Sequence, residues 1–345
     1  MSRRVSSKLV PLILAEYGAA TRQVLSRYLP EREPRQYLYD LAADYPQRGG
    51  RALRPSLCIA TTRAFGGRLE DALASAASIE LFHNALLIHD DIEDESELRR
   101  GRPALHLQEG LPLALNAGDA LLVLSFRPLF ENQRQLGPDL ALRILQDCER
   151  TAIESAEGQA LDIGWRRDNV TEVTVADYLE MVLKKTCWLT TIYPSRVGAL
   201  IGSWGRVDLV PFIRFGFLVG AAFQIQDDVL NLIGDEAAYG KELNGDIREG
   251  KRTLMLIHLL KHAKPDEKAR VVELLGLPRH ERTVEHVRWI RSRMDVHGCI
   301  EHARQVANGL AGAALREFST VYGVLPASRD RQFIEELITW VIERN

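Results

Sequence analysis

Two clusters of carboxylates, each closing a long apolar segment, constrain this 345-residue chain more than any other feature. Asp90-Asp91-Ile92-Glu93-Asp94 ends the run from Ile79 to His89. Asp227-Asp228-Val229-Leu230-Asn231, 137 residues later, ends the run from Phe215 to Gln226. Both runs read as helix. Positions i and i+4 share a helix face about 6 Å apart, so Asp90 pairs with Asp94 and Asp227 with Asn231. Carboxylates stacked so closely repel unless a cation lies between them, and Mg²⁺, a hard ion that takes oxygen ligands, is the natural neutraliser. Two such faces opposed across a helical cavity would hold several Mg²⁺ ions, which in turn call for a polyanionic ligand such as a diphosphate. One acidic run alone is ordinarily a solvated helix end. The second copy and the bases that follow each run point elsewhere: Arg99, Arg100 and Arg102 after the first, and Lys241, Arg248, Lys251 and Arg252 after the second.

Helical periodicity dominates the rest of the chain. Helices are expected from Glu70 to about Glu95, Leu140 to about Ile163, Val175 to Ile192, Phe212 to Ile233, and Arg252 to Ala263. Loops are expected at 30–50, 101–110, 234–250 and 275–281. Gly198-x-x-x-Gly202 and Gly216-x-x-x-Gly220 place small residues at i, i+4, where helices can approach closely. No stretch is long and polar enough for an interdomain linker. The fold class is therefore all-α, one domain over 1–345, with the motif-bearing core at about 49–253 and peripheral helices from Thr283 onward.

Composition excludes several function classes. A formal net charge of −3, without a basic stripe, gives no nucleic-acid signature. Cys58, Cys148, Cys187 and Cys299 form no Cys-x-x-Cys pair, so neither a zinc site nor a disulfide framework is expected, and a reducing cytoplasmic location is. The longest apolar stretch, Leu209 to Ile225, carries Arg214 and is short for a membrane span. The basic N-terminus lacks a small-residue cleavage site, so no signal peptide is expected.

The segments His83-Asn84-Ala85-Leu86-Leu87-Ile88-His89-Asp90-Asp91-Ile92-Glu93-Asp94, Leu98-Arg99-Arg100-Gly101-Arg102-Pro103, Asn116-Ala117-Gly118-Asp119, Lys185-Thr186 and Phe223-Gln224-Ile225-Gln226-Asp227-Asp228 resemble, in order and spacing, the trans-isoprenyl diphosphate synthases. The resemblance runs from roughly Gly49 to Thr253. It implies about ten or more antiparallel helices around a deep cavity, a homodimer, and condensation of isopentenyl diphosphate with an allylic prenyl diphosphate.

Carried over residue by residue, the resemblance makes Asp90 and Asp94 the ligands of two Mg²⁺ ions and Asp227 the ligand of a third, with Mn²⁺ able to substitute. Asp91 and Asp228 point about 100° away around their helices and support the metal sites less directly. Asn231 departs from the usual third Asp but still offers an amide oxygen. Arg99, Lys185, Lys241 and Lys251 grip the allylic diphosphate, and Thr186 and Gln224 turn oxygens toward the allylic cation. Arg51, Arg54, His83 and Arg100 form the isopentenyl diphosphate pocket, where Arg51 and Ala52 replace the family's Lys-Arg. Arg166-Arg167 reads as solvated surface.

Product length is expected to follow Phe82, Ala85 and Leu86, one and two turns before Asp90. In the family a large aromatic five residues before the motif stops growth at the farnesyl stage, and Ala85 leaves that gate open. Phe82 lies about 12 Å from Asp90 along the axis, which suits geranylgeranyl diphosphate. The alternatives are farnesyl or longer products, a terpene cyclase on the same scaffold, and a non-catalytic partner subunit. A cyclase would let the second basic pocket erode; a partner subunit would lose its metal ligands.

Overall fold

Helical periodicity becomes long helices in the structure, a computed structural model that describes residues 8–234 and 242–344. In chain order the helices are α1 (Leu9–Leu25), α2 (Asp40–Gln47), α3 (Leu53–Ala64), α4 (Leu69–Glu93), α5 (Leu105–Glu109), α6 (Leu111–Leu124), α7 (Arg127–Gln135) and α8 (Pro138–Arg167). They continue with α9 (Val175–Val182), a π-helical segment (Leu183–Ile192), α10 (Tyr193–Gly202), α11 (Val210–Ile233), α12 (Gly245–Glu249) and α13 (Leu254–His262). The last four are α14 (Pro265–Leu275), α15 (Val284–Val296), α16 (Cys299–Tyr322) and α17 (Arg329–Glu343). Among the described residues the one sheet is the pair β1 (Leu98–Arg99) and β2 (Arg102–Pro103). The chain is all-α, as expected.

Local sequence sets the ends of the long helices. The Asp71 carboxylate accepts from the backbone N–H of Arg68 at 3.2 Å, capping α4 at its start. Pro138 opens α8 after Gly137, whose φ of +84° turns the chain. The expected helix 175–192 is continuous but changes character, since its second half winds as a π-helix. Residues 30–50, expected as loop because of Pro34 and Pro46, contain α2. Burial of Leu41, Ala42 and Tyr45 against α4 and α6 outweighs those prolines.

The small-residue pairs do what their spacing implies. A Cβ on Gly198 or Gly202 of α10 would collide with carbonyl oxygens of α3, and one on Gly216 would lie 2.9 Å from the Cα of Ile192. The C-terminal helices are more central than expected. Phe318 and Tyr322 of α16 meet Phe212 and Phe215 of α11 at ring separations from 5.3 to 6.4 Å, and Phe333 of α17 is fully buried. The apolar stretch 111–135 is broken at Ser125-Phe126 into α6 and α7. It buries Ala114, Ala117 and Leu121 beside α4 while Leu111, Leu115, Val123 and Phe130 stay exposed.

Gly198→Ala is expected to destabilise the protein by about 1–3 kcal/mol, because the extra methyl meets backbone that cannot turn aside. Urea unfolding of the variant against wild type measures it, and an unchanged midpoint would mean that α3 and α10 can separate.

Candidate active site

The first acidic cluster sits where α4 runs out, and its four acids face different surroundings. Asp91 is fully buried. Its Oδ2 accepts from the Tyr45 hydroxyl at 2.6 Å, and the Arg99 guanidinium forks onto both of its oxygens, with Nε 2.9 Å from Oδ2. A buried charge needs this compensation. Asp91 therefore anchors α4 to α2 and β1, and Arg99, expected on the diphosphate, has Asp91 as its main partner and Asp90 at 3.6 Å. The hairpin makes the arrangement possible. Arg100 and Gly101 both have positive φ, the signature of a two-residue I′ turn, so Arg99 and Arg100 leave the strand in different directions.

Asp90 and Asp94 face a ring of cations. Lys185 Nζ lies 3.5 Å from Asp90 and 2.6 Å from Asp162 of α8. Lys251 Nζ lies 2.7 Å from Asp94 and 2.7 Å from Glu249. Arg166 Nη2 lies 2.9 Å from Asp94. Burial works against the charge on Lys185, yet Asp162, Asp90 and Asp94 raise its pKa above the usual lysine range. Burial would raise Asp162, but Lys185, Lys251 and Arg166 hold it below the usual carboxylate value. Both groups stay charged. The expectation that Arg166-Arg167 is surface holds for Arg167 alone, which is exposed and pairs with Asp168.

Lys185 and Thr186 lie on the π-helical segment, whose wider turn is a common device at functional sites. Gly158 of α8 packs directly on the Lys185 backbone, where any Cβ would collide. That approach carries Asp162, one turn on, to the Lys185 ammonium. Lys184 turns outward to Glu154 and Glu157.

The second acidic cluster closes α11. Thr186 donates to Gln224 at 2.9 Å, Gln224 to Asp228 at 2.7 Å, and the Tyr178 hydroxyl to Asp228 at 2.8 Å. Burial pushes the Asp228 carboxyl up. Asp227 is a third exposed and accepts from Arg344 at 3.1 Å, whose guanidinium also covers the Phe223 ring at 3.9 Å. Asn231, expected among metal ligands, is buried. Its amide oxygen accepts from Asp246 N at 3.1 Å and its amide nitrogen donates to Glu242 O at 3.3 Å, which holds the loop carrying Lys251. Lys241 lies outside the described residues.

A separate cavity of about 80 Å³ brings Arg51, Arg54, His83 and Arg100 together with Glu80, Phe223 and Trp340. Arg54 stands in the first turn of α3 and donates to Thr190 at 2.8 Å. Ala52, in left-handed conformation, packs on Gly18 of α1, where a Cβ on the glycine would lie 2.9 Å from the Ala52 methyl. Arg54 Nη1 and His83 Nε2 lie 3.2 Å apart; a guanidinium only donates, so the imidazole must be neutral and accept. Burial, then Arg54 and Arg100, push His83 well below its usual pKa.

No group of three His, Cys, Asp or Glu among the described residues can hold a metal by itself. Magnesium does not require one, because it commonly takes one or two carboxylates and completes its shell with waters and phosphate oxygens. Asp90 and Asp227, with side chains 22% and 35% exposed, fit that pattern.

On α4, Phe82, Leu86 and Asp90 fall on one i, i+4 row. Phe82 is buried and Leu86 half-buried. Ala85 lies in the apolar cluster with Ala114, Ala117 and Leu121 of α6.

Residues 35–294 match the family model described as polyprenyl synthetase. The chain belongs to that family. Like its relatives, this synthetase is an enzyme, a trans-prenyltransferase. It is 36% identical over 257 residues to the geranylgeranyl diphosphate synthase of Sulfolobus acidocaldarius, covering 74% of this chain and 76% of that one. The geranylgeranyl pyrophosphate synthetase structure from Pyrococcus horikoshii superposes with a TM-score of 0.84 at 32% identity, over 97% and 99% of the two chains. The geranylgeranyl pyrophosphate synthase structure from Corynebacterium glutamicum, complexed with isoprenyl diphosphate and magnesium, gives 0.83 at 25% identity, over 99% and 100%.

The neutral His83 makes a pH prediction. An unfolded histidine takes up a proton near pH 6.5, whereas folded His83 refuses it until far lower. Its contribution is fully present above about 6.5 and falls below that by about 1.4 kcal/mol per pH unit until the folded pKa is reached. Urea midpoints of wild type and His83→Gln at pH 7, 6 and 5 are expected to show the smaller acid loss in the variant.

Proposed function

We propose that this synthetase condenses isopentenyl diphosphate with an allylic diphosphate under Mg²⁺ and that its main product is geranylgeranyl diphosphate. The feature that supports this reading is two groups of cationic side chains in unlike surroundings. One, of Lys185 and Lys251, is flanked by carboxylates. The other, of Arg51, Arg54, His83 and Arg100, has Glu80 as the one carboxylate among its lining residues. An allylic diphosphate in the first and isopentenyl diphosphate in the second would face each other across Thr186 and Gln224.

Asp90 and Asp94 on one side and Asp227 on the other would hold three Mg²⁺ ions, with Asp91 and Asp228 fixing the helices that present them; Mn²⁺ is expected to substitute. The metal supplies charge neutralisation on the leaving pyrophosphate. Lys185, Lys251 and, beyond the described residues, Lys241 add to it, the kind of electrostatic stabilisation that carries most of such catalysis. The allylic C–O bond breaks with its electrons going to pyrophosphate, the isopentenyl double bond forms the new C–C bond, and a proton leaves to pyrophosphate. Gln224 is positioned by Thr186 and Asp228 to face the cation without trapping it.

A cyclase would have no use for the second basic site, so its four converging side chains favour the synthase. The exposed apolar row Leu111, Leu115 and Val123 of α6 suits a second copy of the chain, and the four unpaired cysteines suit a reducing cytoplasm. Phe82, on the Asp90 row, is the proposed floor for the growing tail.

Purified protein with Mg²⁺, labelled isopentenyl diphosphate and each allylic primer tests the reaction, with products separated by length. Asp90→Asn is expected to lower turnover by at least about 10²–10³-fold. Activity that survives both this change and a chelator would refute the metal assignment. Consumption of a primer without isopentenyl diphosphate, with release of a hydrocarbon, would put the cyclase in its place. Phe82→Ala is expected to lengthen the product in the same assay; an unchanged distribution would mean that another helix sets the floor.

A further inference from the structure

Asp94 is buried between two cations, and they are not held alike. Lys251 has carboxylates other than Asp94 to hold it: Glu249 at 2.7 Å and Asp246 at 3.8 Å. Lys185, next along the ring, is tied to Asp162 at 2.6 Å. The outer nitrogen of Arg166 has Asp94, while its Nε donates to the Asp162 backbone carbonyl at 3.3 Å and stays 3.9 Å from the Asp162 carboxylate. The Arg166–Asp94 contact is an ion pair without hydrogen-bond alignment. Arg166 Nη2 and Asp94 Oδ1 are both buried and neither has a hydrogen-bond partner. Arg166 therefore brings unsatisfied donors to the edge of the acidic face, on a helix that Gly158 packs rigidly against Lys185.

We infer that Arg166 is a diphosphate-binding residue, handed from Asp94 to the diphosphate when a divalent cation takes Asp94. The inference rests on the proposed function. A cation on Asp94 displaces positive charge from that carboxylate. Lys251 remains tied by Glu249 and Asp246, whereas the head of Arg166 loses its close carboxylate. A planar guanidinium can then take two phosphate oxygens at once, a fit that an ammonium lacks. Two consequences follow. Arg166 competes with the metal for Asp94 when no anion is present, and it strengthens binding when metal and anion arrive together.

Calorimetric titration of Mg²⁺ alone, and of inorganic pyrophosphate in saturating Mg²⁺, into the full chain separates these effects. Arg166→Gln is expected to bind Mg²⁺ as tightly as wild type or more tightly, and magnesium pyrophosphate about tenfold or more weakly. Arg166→Lys, which keeps the charge and serves as the folding control, is expected to fall between them. Melting temperatures of both variants within a few degrees of wild type show that α8 is intact. Equal magnesium pyrophosphate affinity in wild type and Arg166→Gln would overturn the inference and leave the proposed function standing. A wild type that takes up no magnesium pyrophosphate would overturn both.

Discussion

The architecture of the cavity mouth depends on compensating buried negative charge. Asp91, Asp94, Asp162 and Asp228 are all withdrawn from water, and an uncompensated carboxylate there would cost several kcal/mol. Each meets the requirement differently. Asp91 has a guanidinium and a phenol, Asp94 two cations, Asp162 an ammonium, and Asp228 only neutral donors from Gln224 and Tyr178. Adjacent residues in one motif thus become chemically unlike. Asp90, less buried, and Asp94, whose pair with Arg166 lacks hydrogen-bond alignment, are left as acids that can exchange partners, and Asp91 as the one that cannot.

The same compensation ties distant parts of the chain to one site. Arg99 brings in the hairpin, Lys251 the loop braced by Asn231, and Arg166 the end of α8. Arg344, the last described residue, reaches Asp227. Glycine supplies the close approaches that these contacts need, at Gly158 under Lys185 and at Gly18 under Ala52.

Much of this was legible in the sequence, because periodicity and motif spacing are local. The long helices and the two acidic faces follow from them, whereas the basic pocket came from the family resemblance. Helix α2 was hidden by Pro46 and by Pro34 before it, and only its packing against α4 and α6 explains it. Arg166 was misread as surface because an arginine pair at a helix end usually is. Its signal was the spacing Gly158-x-x-x-Asp162-x-x-x-Arg166, a small residue and then an acid and a base on one helix row. The partners of Tyr45, Tyr178 and Arg344 lie 46, 50 and 117 residues away, and no local pattern announces them.

The π-helical segment has one further consequence. Each of its turns accommodates one residue more than an α-turn. Removing a single residue between 183 and 192 could restore ordinary winding without breaking the helix, yet it would rotate everything on one side by about 100°. Lys185 and Thr186 would then leave the cavity together. Sequence length in this segment is therefore as tightly constrained as residue identity, and an alignment that tolerates a gap here would describe a chain with the same fold and a different active face.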